Sequence, residues 1–104
     1  MELPAELKEA MQILGEAEKA NTPETTISKF DQGIEILETY LEENPNNKYI
    51  EKIINIITSY TRVMVAKTIL YVRTGNFEDD FNLWIDYLLG FAKAARYIGE
   101  IYRR

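Results

Sequence analysis

Carboxylates are the first candidates for chemistry in this chain. Glu35 and Glu38 stand three residues apart, a spacing that puts two acids side by side on one helix face. Holding magnesium for phosphate chemistry would need a second acidic pair, and no Glu-x-x-Asp follows at a suitable distance. Glu78, Asp79 and Asp80 form the only acidic run at a loop edge. Three consecutive helical side chains point in different directions, so they cannot grip one ion together. At a helix start they complement the positive end of the dipole instead. Lys93, Arg96, Arg103 and Arg104 form a candidate basic patch, which also suits the negative end of a last helix.

The residue types that are missing narrow the chemistry further. Cys and His are both absent. This removes thiolate nucleophiles, disulfides, zinc fingers and iron–sulfur ligation, together with the commonest general base and the Glu-x-x-His pairs of di-iron bundles. The first Arg is Arg62, too late for a helical mutase that grips a dicarboxylate with an early arginine. No phosphate-cradling glycine loop is present. A nucleophile and base could come only from carboxylates, Lys and Tyr. The expectation is no enzyme, no metal and no cofactor.

The elements that would position these residues are helices. The chain has 104 residues, about one domain, with 46 % hydrophobic and 28 % charged residues, too apolar for disorder. Leu3, Leu7, Ala10, Met11, Leu14 and Ala17 recur at spacings of three and four. Thr22-Pro23 then reads as a cap followed by a first-turn proline. Ile27, Phe30, Ile34, Leu37 and Leu41 form a seven-residue seam, with Gly33, Ile36 and Tyr40 as an adjacent row. Asn44-Pro45-Asn46-Asn47 stops that helix, and Asn46 or Asn47 is the expected cap of the next. Gly75-Asn76 is the following stop. The fold expected is all-α, a single domain over 1–104: a four-helix antiparallel bundle with helices at about 4–20, 23–43, 47–74 and 77–102.

Helix three loses its polar arc over 63–72 (VMVAKTILYV), leaving only Lys67 and Thr68. A helix apolar all round must be buried all round. In a bundle this small, some of that surface is expected against another subunit or a ligand chain. Helix four is similarly broad, with Phe77, Phe81, Trp84, Ile85 and Leu88 on one face. The expected partner or oligomer interface is Ile57, Tyr60, Met64, Tyr71, Trp84 and Leu88. Seven Tyr and one Trp agree with it, since rigid amphipathic rings are favoured at interfaces.

At helices two and three the residues become family-like. The run 30–41 (FDQGIEILETYL) precedes an Asn/Pro turn, and Ile53, Ile57, Tyr60 and Arg62 follow. Over about residues 5–70 this resembles the microtubule-interacting-and-trafficking (MIT) domain. That family has an aromatic-x-x-Gly-Ile-x-x-Leu helix before an Ile-x-x-Tyr-x-x-Arg helix; here Tyr60 and Arg62 stand one residue closer. The resemblance implies a three-helix bundle that captures short tails. Gly33, Leu37, Tyr40 and Pro45 also resemble one helix of a tetratricopeptide repeat, although only half of one repeat is visible.

Charge is unevenly shared. Residues 1–52 hold 5 basic and 12 acidic residues, whereas 53–104 hold 7 and 5. Contact between unlike halves or subunits is therefore favoured, and the overall charge of −5 makes the chain a poor phosphate clamp. The function expected is a non-enzymatic helical interaction or adaptor module that self-associates through helices three and four. The alternatives are a structural homo-oligomer or a weak nucleic-acid binder using the helix-four patch. The acidic start lacks a signal-peptide pattern, and the apolar run 63–72 is about half a bilayer span. A cytoplasmic location without a membrane span is expected.

Overall fold

A computed structural model describes residues 3–73 together with 96, 99 and 100. The described residues are all-α, with three helices: α1 (Ala5–Lys19), α2 (Pro23–Glu43) and α3 (Ile50–Arg73). The fourth helix expected over 77–102 lies outside the described residues, although Arg96, Gly99 and Glu100 are themselves helical.

Local chemistry sets the boundaries. The Thr22 hydroxyl accepts from the Thr25 backbone N–H at 3.3 Å, and Pro23 takes the first helical position of α2, where a missing N–H costs nothing. Asn44 ends α2 with two donors, its backbone N–H and its Nδ2, both directed at the Tyr40 carbonyl at 2.9 and 3.0 Å. The start of α3 corrects the expected boundary at 47. The Asn47 Oδ1 accepts from the Tyr49 N–H at 2.7 Å, a side-chain turn that holds 47–49 outside the helix. The first α3 bond runs from Ile53 N–H to the Tyr49 carbonyl, so Tyr49 flanks the helix where an Asn was expected.

The core is a three-helix seam. Leu7, Ala10, Leu14 and Ala17 of α1 meet Phe30, Ile34, Leu37 and Leu41 of α2, while Ile53, Ile57, Met64 and Tyr71 come from α3. The α1 and α2 sets recur at three and four residues and the α3 set at four and seven, which keeps one stripe of every helix facing inward. α1 and α2 form the tighter pair, because Gly33 lets the Leu14 side chain approach the α2 backbone.

A polar knot joins the end of α3 to the α1–α2 turn, so that α3 runs parallel to α1. The Lys67 ammonium donates to the Glu18 and Ala20 carbonyls at 2.7 and 2.8 Å, satisfying acceptors that a helix end leaves open. Thr26 Oγ1 donates to the Thr22 carbonyl at 2.8 Å. The Thr26 hydroxyl also lies 3.2 Å from the buried Tyr71 hydroxyl, whose one proton is within reach of the Ala20 carbonyl at 3.4 Å.

Candidate functional site

Sequence periodicity selected Ile57, Met64 and Tyr71 as interface anchors, and the structure places all three inside the chain's own core. This corrects their reading as surface anchors. They sit on the stripe of α3 that α1 and α2 cover, so their apolar area is already removed from water. Tyr60 is half-buried, with its hydroxyl above the Gly15 backbone. Trp84, Leu88, Lys93, Arg103 and Arg104 lie outside the described residues. Arg96 is exposed and pairs with Glu100 one turn on, at 3.3 Å.

The apolar stretch of α3 is not buried all round. Val65, Ile69 and Leu70 are 43, 51 and 56 % exposed. Successive helical residues turn by about 100°, which puts 65, 66, 69 and 70 on the side opposite Met64 and Tyr71. Arg62 and Arg73, both exposed, fall on the same outer side one turn before and one turn after this row. These residues were missed because the stretch reads apolar in every direction. The signal that finds them is the seam 53-57-60-64-71, which assigns the opposite side to 65, 69 and 70 once it is taken as the core.

The same helix bears on the expectation about membranes. Over Ile50–Tyr71 it is long and apolar enough to cross a bilayer by length and composition, with a mean hydropathy of 1.2. The run 63–72, with Lys67 its one charge, is shorter than this span, because Arg62 interrupts an apolar pattern that reaches back to Ile53. The core helix of a soluble protein meets the same criterion, and Ile53, Ile57, Met64, Thr68 and Tyr71 are buried against the bundle.

A second surface lies between α1 and α2: a groove of about 360 Å³. Ile13, Ile36 and Tyr40 line its apolar part, with Glu6 and Glu9 on the α1 side and Glu35 and Glu43 on the α2 side. Positions 6, 9 and 13 occupy the side of α1 away from Gly15, which faces Tyr60 of α3. The groove therefore opens on the back of the hairpin. Tyr40 is buried there, and its phenol is raised above the usual value of about 10, first by burial and then by Glu6 and Tyr49.

Glu35 is exposed on the groove rim and Glu38 is half-buried. Among the described residues no three His, Cys, Asp or Glu side chains come together to hold a metal. What the two surfaces can do is remove apolar area from water, one between arginines and the other between carboxylates. Compared with protein-family models, with curated proteins and with solved structures, the chain matches none of them.

Proposed function

We propose that this chain is a non-enzymatic helical interaction module that self-associates through the outer face of α3 and the segment 77–102. That segment forms the fourth helix of an antiparallel bundle, entered through Gly75-Asn76 and paired with its copy across a two-fold axis. One observation carries the reading: Val65, Ile69 and Leu70 expose an apolar row on a helix whose other side is already core. A contiguous row of this kind marks a contact surface more often than a solvated one. The resemblance of helices two and three to a tail-capturing family points to protein binding as well.

Light scattering over a concentration series tests it, using the intact chain and Ile69→Asp. Ile69 is half exposed, so the substitution leaves the core alone while placing a charge in the contact. The expected result is a dimer or larger species for the parent and a shift toward monomer for the variant. A parent that remains monomeric at every concentration would sink the proposal.

A further inference from the structure

The groove on the back of the α1–α2 hairpin is elongated. Its α2 wall runs from Gln32 to Glu43, about 16 Å or three turns of helix. Ile13, Ile36 and Tyr40 make the apolar floor, and Glu6, Glu9, Glu35 and Glu43 stand exposed along the two sides. One turn beyond Ile13 and Gln32, Lys29 reaches across from α2 to Glu16 of α1 at 3.1 Å. There the chain itself supplies a cation to the cleft between the helices. Among the described residues no cation pairs with any of the four acids further along. Acids facing one another across a cleft repel, and a cation placed between them relieves the repulsion.

Tyr40 is a second and independent mark of a ligand. Its residue is only 8 % exposed, yet its hydroxyl has no hydrogen-bond partner among the described residues. A phenol buried to this extent ordinarily finds one. Because Tyr40 lines the groove, the unused donor opens into it.

A helix bearing one apolar stripe between two rows of Lys or Arg has the complementary form. Residues of the stripe at i, i+4 and i+7 cover a floor of three turns. The basic residues beside the stripe reach the rims, and their stems cover further apolar surface. From the charge, the length and the unpaired phenol we infer that the α1–α2 groove docks a basic amphipathic helix of another protein. Its stripe packs on Ile13, Ile36 and Tyr40, and its two cationic edges face Glu6 and Glu9 on one side and Glu35 and Glu43 on the other. The Tyr40 hydroxyl donates to an oxygen acceptor within the stripe. This site lies on the opposite side of the hairpin from the outer face of α3, so it does not rest on the self-association proposed above.

A synthetic helical peptide of leucine and lysine tests the inference, with a leucine stripe, one serine at its centre and lysines on both edges. A length of about eighteen residues, or five turns, spans the groove. Fluorescence anisotropy of the labelled peptide, titrated with the full chain, is expected to saturate, with an affinity that falls as salt is added. Glu9→Lys with Glu35→Lys changes two exposed positions, and circular dichroism checks that the variant is folded. Its dissociation constant is expected to rise at least about tenfold, while Ile69→Asp on α3 leaves the constant unchanged. A peptide of the same composition in scrambled order, without a stripe, is expected to bind at least about tenfold more weakly. Absence of saturable binding overturns the inference. So does equal binding of the scrambled peptide, which reduces the contact to attraction between net charges. A charge-reversed variant that binds like the parent, or a loss confined to Ile69→Asp, overturns it by placing the peptide elsewhere. A chain that binds the peptide yet stays monomeric leaves this inference standing and overturns only the α3 reading.

Discussion

A β-carbon added to Gly33 would lie 2.5 Å from Leu14 Cγ and 2.6 Å from its Cδ2, with the Ala10 carbonyl oxygen 3.4 Å away. This glycine is what allows α1 and α2 to approach closely, and Leu14 is fully buried with little room to retreat. Gly33→Ala is therefore expected to cost about 1–3 kcal/mol through overpacking. Gly15 gives the internal control: its nearest obstacle is the Tyr60 hydroxyl at 3.9 Å, an ordinary contact. Gly15→Ala should stabilise α1 by about 0.5–1 kcal/mol, because alanine removes the backbone freedom that glycine loses on folding. Urea denaturation of both variants reads the two opposite signs.

The knot at the end of α3 gives a second prediction. Lys67→Met removes two charge-assisted bonds to the α1 terminus and should destabilise by about 1 kcal/mol, part of the charge being solvated in either state. Tyr71→Phe leaves the ring in place but deprives Thr26 of its buried partner, at a similar cost of about 1 kcal/mol. Since Tyr71 and Lys67 are one turn apart and bond to the same Ala20 carbonyl, the two losses should not add. A double-mutant cycle in thermal denaturation measures the coupling; strict additivity would show that the two side chains act independently.

Alkaline pH probes the groove through Tyr40. Its phenol is raised above the ordinary value, chiefly by burial and next by Glu6. The folded state therefore holds the proton more tightly than the unfolded chain does. That contribution is complete below pH 10, declines once the unfolded phenol ionises, and is gone above the folded value. Tyr40→Phe should flatten the loss of stability above pH 10, as read by chemical denaturation at stepped pH. An unchanged alkaline slope would mean that other tyrosines control it.

Met64 and Ile69 separate folding from association. Met64 is 2 % exposed within the core, so Met64→Asp should cost about 3 kcal/mol or more and lower helicity even in dilute solution. Ile69→Asp should keep the helicity and change only the solution mass. Circular dichroism beside light scattering distinguishes them, and Ile69→Asp matching the Met64→Asp loss of helicity would place Ile69 in the core after all.

Much of the helical order was legible because its signals are local. Thr22 and Pro23 mark the start of α2 at the residue where it begins, since a cap bond and a fixed φ involve only adjacent chain. The heptad spacing of Phe30, Ile34, Leu37 and Leu41 names the buried stripe for the same reason, all four being nine-tenths or more buried. The start of α3 was less legible. Asn47 can cap a helix or close a side-chain turn, and in the structure it does the latter by accepting from Tyr49.

The sidedness of α3 was not local at all. Residues 63–72 are apolar on every side, so their sequence by itself determined that a long apolar helix forms, and not which side is covered. That was decided by the hairpin: α1 and α2 take the stripe holding Met64 and Tyr71, leaving Val65, Ile69 and Leu70 exposed. The acidic groove has the same origin. Glu6, Glu9, Glu35 and Glu43 read as scattered solvated acids along two separate helices. Only the close approach of those helices, permitted where Gly33 meets Leu14, gathers them around Ile36 and Tyr40.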